Sequence, residues 1–176
     1  KSCQLVAVMV LPVALIVAVF ARELLFVWTG SPGTADATHL VLSLLMLGTA
    51  LNTLAVTPFA LQYAHGWTRL ALRLNTAAVA LSAPLIWWMT RRYGAVGAAI
   101  VWIVLNAGYV LVGLTIMHRR ILPGELRSWY VTDTGRPLVA ALAAVLVCRW
   151  LAPAGLPRVA ALGWLMAVSA LALIAA

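Results

Sequence analysis

Long apolar stretches separated by short polar breaks run along the whole chain. Apolar stretches of about 17 to 25 residues are long enough to cross a bilayer as helices. The pattern predicts six such helices, and most of their faces are apolar, unlike the single apolar stripe of a soluble amphipathic helix. We name them helices A to F, and they cover approximately residues 5–20, 40–63, 70–90, 95–117, 138–151 and 159–176.

Turn-forming and charged residues mark the breaks between these helices. The D–E connection, residues 121–136, is the longest polar segment of the chain. The other breaks are Ser31-Pro32-Gly33-Thr34 between A and B, Gly66 between B and C, Arg91-Arg92-Tyr93-Gly94 between C and D, and residues 153–157 between E and F.

The composition narrows the class of protein to an integral membrane protein. Hydrophobic residues make up 65% of the sequence and charged residues only 9%, with a mean hydropathy of +1.05. A soluble domain would carry about 25% charged residues, and so few polar side chains cannot cover a surface exposed to water. The predicted fold class is therefore all-α, a polytopic bundle of about six transmembrane helices.

The excess of basic residues indicates contact with a membrane surface rather than with nucleic acid. The formal charge is +8, from 12 Lys and Arg against 4 Asp and Glu, but the bases lie between apolar stretches. Because no separate basic face exists, nucleic acid is not expected as a partner, whereas membrane lipids are.

The bases are also distributed unequally between the two sides of the predicted bundle. Consecutive connections alternate sides, so one side carries seven bases and the other five: Lys1, Arg69, Arg73, Arg119, Arg120, Arg127 and Arg136 against Arg22, Arg91, Arg92, Arg149 and Arg158. The positive-inside rule then predicts that the B–C and D–E connections are cytoplasmic. Trp129 and Tyr130 in the D–E connection are predicted to anchor it at the level of the lipid headgroups.

The titratable residues form no recognisable catalytic or metal-binding motif. The sequence contains no HExxH, P-loop or DxD pattern. We therefore expect a protein that is not an enzyme and that needs no cofactor or metal, and we expect Cys3 and Cys148 to be buried thiols. The acids and histidines are scattered along the chain: Glu23, Asp36, Glu125, Asp133, His39, His65 and His118.

Helix C carries the most informative polar pattern. Arg69, Arg73 and Thr76 are spaced i, i+4 and i+7, so they share one face of the helix. On the simpler interpretation both arginines extend to the cytoplasmic headgroups. On the alternative interpretation they face a central cavity, where the planar guanidinium groups would pair with a diphosphate. The sequence leaves both interpretations open.

Other polar residues inside the predicted helices also have two interpretations. Small polar side chains let helices pack closely, which is the simpler one. The alternative is a hydrophilic cavity wall that binds sugar hydroxyls, and it adds Asn52 of helix B and Asn75 of helix C to the candidate substrate-binding residues. The remaining members of this set are Thr49, Thr53 and Thr57 on one stripe of helix B, and Asn106 on helix D.

Three short segments are informative through their order and spacing. They are ELLFVWTG at residues 23–30, AHGWTR at residues 64–69, and RYGAVGAA at residues 92–99. Together they resemble the C-terminal lobe of polysaccharide biosynthesis flippases, such as O-antigen and exopolysaccharide flippases of the multidrug/oligosaccharidyl-lipid/polysaccharide exporter superfamily. The sequence departs from that family at Thr90-Arg91, where Ile-Pro often stands.

The resemblance implies both a domain organisation and a function. Residues 1–176 would be the C-terminal transmembrane lobe of a longer flippase. That flippase would move a polyprenyl-diphosphate-linked oligosaccharide across the bacterial inner membrane by alternating access, driven by a gradient of protons or sodium ions. Two alternatives stay open: a multidrug or lipid II exporter of the same superfamily, and a membrane-embedded glycan ligase or polymerase.

Overall fold

The computed structural model describes residues 2–151, together with residues 163 and 167. Residues 2–151 are helical almost throughout and include no strand, which confirms the all-α class for this part of the chain. The helices are α1 (Ser2–Val19), α2 (Ala21–Thr29), α3 (Pro32–Ala64), α4 (Thr68–Gly108), α5 (Leu114–Ile121), α6 (Leu126–Ser128) and α7 (Arg136–Leu151), with π-helical turns at Tyr109–Gly113 and Trp129–Gly135.

Several of these helices are long and apolar enough to cross a membrane. Among the described residues three stretches qualify, Pro32–Ala64, Thr68–Ile121 and Leu126–Leu151, and a bent pair, Cys3–Val19 with Ala21–Thr29, makes up to four if it is one span. The protein is therefore a multi-pass α-helical membrane protein. Predicted helix F, residues 159–176, lies outside the described part of the chain apart from residues 163 and 167.

Helix A ends close to its predicted position, and a second helix follows at an angle. α1 stops at Val19, and α2 leaves at 75° to it. Phe20, at the corner, is only 1% exposed, so burial of its ring fixes the bend. α2 ends at Gly30, whose φ of 70° is in the left-handed region that glycine adopts easily.

α3 begins at residue 32 rather than at residue 40, where helix B was expected to begin. The Ser31 side chain accepts a hydrogen bond from the backbone N–H of Thr34 at 3.3 Å, which caps the helix. Serine at the N-cap and proline directly after it both favour a helix start. The predicted turn over residues 31–34 is therefore wrong beyond Ser31, because Pro32 already belongs to the helix.

Gly94 divides α4 into two antiparallel helices, which we name α4a (residues 68–93) and α4b (residues 95–108). Its φ of 58° and ψ of −141° are not helical. The hydroxyl of Tyr109 donates a hydrogen bond to Oδ1 of Asn75 at 2.7 Å, although the two residues are 34 positions apart. In a straight helix that separation would be about 51 Å, so the chain reverses direction at Gly94 and forms a helical hairpin.

The D–E connection is much shorter than the sequence predicted. The expectation of a polar connection over residues 121–136 is wrong for most of that length, because the chain is helical again from Leu126. Only residues 122–125 separate α5 from α6. The span therefore begins before residue 138, where helix E was expected to begin, and Leu126–Leu151 is long enough to cross a bilayer.

The aromatic pair in this region turns into the bundle instead of anchoring it. Trp129 is 4% exposed, and its ring packs edge-on against Tyr130 with 4.9 Å between centroids. The hydroxyl of Tyr130 donates a hydrogen bond to the carbonyl of Val110 at 2.8 Å. The predicted headgroup anchor is therefore wrong for Trp129, because its ring is buried in the cluster formed with α1 and α3.

α1 lies between α3 and α7 and supplies much of the buried surface of the described helices. Small side chains are frequent on these faces and allow the helix backbones to approach closely. Cys148 is buried on α7 and Cys3 is half-buried on α1, and both are free thiols. The buried residues form two groups: Ala7, Leu11 and Ala14 with Ala50, Leu54 and Ala55 of α3, and Leu15, Ile16 and Phe20 with Ala141, Val145 and Cys148 of α7.

Two contacts show which connections share an end of the bundle. The guanidinium of Arg120 lies 4.4 Å from the ring centroid of Trp67, which joins the D–E connection to the B–C connection. At the opposite end, Arg149 forms an ion pair with Glu23. The prediction that the B–C and D–E connections lie on one face is confirmed, and the cytoplasmic location of that face stays a prediction.

Candidate functional site

Arg69, Arg73 and Thr76 lie on the side of α4a that faces away from the other described helices. All three are exposed, whereas Leu70 and Ala71, at 8% and 4% exposure, mark the packed side of the same helix. The spacing of four residues places the two arginines one turn apart, with about 5–6 Å between their Cβ atoms. The predicted shared face of these residues is therefore present.

Neither arginine on this face has an acidic partner among the described residues. Within the described residues, Arg69 and Arg73 form no ion pair or hydrogen bond, in contrast to Arg22 with Asp36 and Arg149 with Glu23. Each guanidinium presents a planar set of N–H donors that can bind a carboxylate or phosphate through two hydrogen bonds. This face can therefore bind an anionic group, whether a lipid headgroup or a phosphorylated substrate.

Asn52 is placed between two helices rather than on this face. Its Nδ2 donates a hydrogen bond to Oδ1 of Asn106 at 2.8 Å, and Asn106 is fully buried. Nδ2 of Asn106 in turn donates to the carbonyl of Trp102 at 2.8 Å. The pair ties α3 to α4b, which is the packing role that polar residues commonly have in membrane bundles. A contact between Asn52 and substrate stays a prediction.

Asn75 takes part in a second contact between helices. It accepts the hydrogen bond from Tyr109, and the Tyr109 ring packs edge-on against Phe59 of α3 with 5.6 Å between centroids. The structure thus brings Asn75 into the hairpin packing, on a different side of α4a from Arg69 and Arg73. The five predicted substrate-binding residues do not form one cluster.

The threonines on the stripe of helix B form hydrogen bonds mainly within their own helix. The hydroxyls of Thr49 and Thr53 donate to the carbonyls of Leu45 and Thr49 at 2.8 and 2.9 Å. Nε1 of Trp102 donates to Oγ1 of Thr49 at 3.4 Å, which adds a weak contact with α4b. These contacts favour the packing interpretation of the stripe.

One group of titratable residues comes together that the sequence did not reveal. A cavity of about 460 Å³ at the end of the bundle that carries the D–E connection is lined by His118, Glu125, Asp133 and Trp129. His118 is only 2% exposed, and its Nδ1 lies 2.9 Å from the carbonyl of Leu114. One imidazole and two carboxylate side chains thus line the same cavity. No local spacing could have signalled this, because the π-helical turn at Trp129–Gly135 places Asp133 there.

The potential metal ligands in this cavity are not arranged as a metal centre in the described part of the chain. Among the described residues, no group of three or more His, Cys, Asp or Glu side chains could hold a metal ion. Cys3, Met117 and Leu122 supply much of the remaining wall. The wall of this cavity therefore combines apolar side chains with titratable ones.

Comparison with curated proteins shows a similarity to part of one bacterial protein. A protein of Shigella flexneri named "Putative O-antigen transporter" is 29% identical over 102 residues, which is 58% of this chain and 24% of the relative. The matched part thus spans about a quarter of that protein's length. No family model matches the chain, and no solved structure is similar to it. The similarity supports a relationship to polysaccharide or O-antigen transporters at this level of identity.

Proposed function

We propose that this chain is part of a transporter that moves a polyprenyl-diphosphate-linked oligosaccharide across the bacterial inner membrane. The observation that carries the proposal is the similarity to the Shigella flexneri protein over 102 residues. The apolar helices support it, since a lipid-linked substrate is met within the bilayer. As the resemblance implies, transport proceeds by alternating access and is coupled to a proton or sodium gradient.

The proposal includes an arrangement of six membrane crossings in a C-terminal lobe formed by residues 1–176. Five are α1 with α2, α3, α4a, α4b continued through α5, and Leu126–Leu151. The reversal at Gly94 supports counting Thr68–Ile121 as two crossings. As one straight helix this stretch would be about 81 Å long, far more than a hydrocarbon core of about 30 Å. Predicted helix F is the sixth.

Within this transporter, Arg69, Arg73 and Thr76 bind the diphosphate of the substrate. Two guanidinium groups one turn apart offer enough donors for two phosphoryl groups, and the Thr76 hydroxyl adds one more. Their lack of acidic partners among the described residues supports this role, because an arginine inside the hydrocarbon needs water, an anion or the headgroups. Asn75 is held by its hydrogen bond from Tyr109 and so helps to position α4a, whereas Asn52 ties α3 to α4b. Their predicted contacts with the sugar hydroxyls of the substrate remain part of the proposal.

The test is glycan export by full-length variants at matched expression, in a strain that lacks its own transporter. Arg73→Ala removes both the charge and the planar donor set, and should lower export by about ten- to a hundredfold, as expected for a lost hydrogen bond to a charged group. Arg73→Lys keeps only the charge and should give intermediate export.

Arg127 provides the matched control, because it is an exposed arginine in the segment 121–136 at the same end of the bundle. Arg127→Ala should export normally. Unchanged export in Arg73→Ala would contradict a substrate-binding role and leave headgroup contact as the function of Arg73. Loss of drug export instead of glycan export would favour the multidrug alternative.

A further inference from the structure

The α4 hairpin carries an apolar groove that lies between α4a and α4b. Its volume is about 300 Å³, at the lower end of the range for small-molecule sites. Every residue that lines it comes from the hairpin and its continuation into the π-helical turn, and only Ser82 and Tyr109 are polar. An apolar groove of this kind, on helices that cross a membrane, accommodates hydrocarbon.

One side of the groove is closed and the other is open. Tyr109 bridges the hairpin to Asn75 on the side toward α3, where it also packs against Phe59. On the opposite side the lining residues Ala77 and Leu81 are exposed, Leu81 by 71%. The groove is therefore accessible from the surface that faces away from α3.

The open edge of the groove leads directly to Arg73. Arg73, Ala77, Leu81 and Leu85 are spaced four apart, so they follow one ridge of α4a. Three of them line the groove, and Arg73 is the next residue of the ridge, one turn closer to the B–C connection. Leu74, beside Arg73, marks the same end of the groove, because it lies next to Gly113 across the hairpin.

We propose that this groove binds the hydrocarbon chain of a polyprenyl diphosphate while Arg73 and Arg69 bind its two phosphates. This inference rests on the proposed function and adds the position of the lipid chain. A single groove fits one chain, whereas a membrane phospholipid has two. Two guanidinium groups without acidic partners among the described residues complement the higher charge of a diphosphate better than that of a phosphodiester.

Gly108 is the position chosen for filling the groove, because space is open where its side chain would start. It lines the groove, and a Cβ built there meets no atom within 4 Å. Its φ of −58° is helical, so Gly108→Leu should also raise helix propensity. Gly33 is the matched control, since it is also in a helix and open space surrounds its Cβ position.

The measurement is labelling of full-length protein in nanodiscs by a photoreactive polyprenyl diphosphate, with the labelled residues mapped by mass spectrometry. Wild type and Gly33→Leu should be labelled along the hairpin. Gly108→Leu should need at least about tenfold more probe, the effect of roughly two methylene groups losing contact. Arg73→Ala should weaken labelling while the probe's chain stays at the same residues.

Two results would overturn the proposal. Equal labelling of Gly108→Leu and wild type would mean that the groove does not hold the chain. Equally effective competition by phosphatidylglycerol would mean that any anionic lipid occupies the site. Glycan export measured in parallel separates this inference from the proposed function. Normal export by both wild type and Gly108→Leu would contradict the role of the groove alone. Specific labelling of a wild-type protein that does not export glycan would contradict the proposed function alone.

Discussion

The hydrogen bond between Asn52 and Asn106 should be a measurable link between α3 and α4b. Asn52→Ala removes the donor, which leaves Oδ1 of the fully buried Asn106 without its 2.8 Å partner. Nδ2 of Asn106 keeps its hydrogen bond to the Trp102 carbonyl. The substitution therefore isolates one contact and leaves its neighbour intact.

The expected loss in the free energy of unfolding has two sources, the lost hydrogen bond and the buried oxygen left without a partner. Hydrogen bonds between membrane helices contribute about 0.6 kcal/mol on average and at most about 1.7 kcal/mol in double-mutant cycles. A buried amide oxygen left without a partner costs about 1–3 kcal/mol. We therefore expect Asn52→Ala to lower the free energy of unfolding by about 1–2 kcal/mol, and a cycle with Asn106→Ala to give a coupling of about 0.6–1.7 kcal/mol.

The assay is reversible unfolding of the full-length protein in mixed micelles, followed by export measurements on the same variants. Thr53→Ala serves as the control, because among the described residues the Thr53 hydroxyl bonds within its own helix, to the Thr49 carbonyl. Its effect should stay below about 0.5 kcal/mol. A coupling energy below about 0.3 kcal/mol would refute the interhelical bond.

The same variants address the prediction that Asn52 contacts substrate. Replacing both asparagines by leucine removes the unpaired oxygen and should restore much of the lost stability. Normal export by that stable double variant would make Asn52 a packing residue only. Lost export despite restored stability would instead support a direct role in substrate binding.

Two further predictions concern the hairpin and its orientation. Gly94→Ala should destabilise the protein by about 1–3 kcal/mol, because a φ of 58° with a ψ of −141° is accessible essentially only to glycine; no loss in the unfolding assay would contradict the reversal at this residue. In a background without Cys3 and Cys148, an impermeant thiol reagent added outside intact cells should label Tyr93→Cys and spare Ser128→Cys, and the reverse pattern would place the B–C and D–E connections in the periplasm.

The sequence was a good guide to which stretches form helices and to two of the breaks between them, because those signals are local, but it placed the starts of α3 and of the span Leu126–Leu151 too late. An apolar run of sufficient length predicts a span wherever it occurs, and glycine predicts the breaks at Gly66 and Gly94, which both have a positive φ. The prediction failed at residues 121–136, where polar side chains suggested a loop. Those side chains are accommodated by a helix with a π-helical turn, which carries Trp129 into the bundle.

The packing of the helices could not be predicted from periodicity. In lipid nearly every face of a span is apolar, so no stripe distinguishes the buried side from the exposed side. Asn52, Asn75 and Arg73 therefore looked alike as polar residues in apolar helices. Contacts between residues 54 and 34 positions apart separate them, since Asn52 bonds to Asn106 and Asn75 to Tyr109, whereas Arg73 has no described partner.

Because Arg73 has no described partner, the question is which anion it binds. An arginine at the centre of a membrane helix costs about 2.5–3.5 kcal/mol, so Arg73 must reach water or an anion. Extension to the headgroups and binding of substrate both place a phosphate beside it, which means that proximity to phosphate cannot distinguish the two interpretations. The groove that ends one turn away can, because bulk lipids exchange freely and a bound substrate has its chain held at fixed residues. Filling the groove at Gly108, where an added Cβ meets no atom within 4 Å, therefore decides which phosphate Arg73 binds.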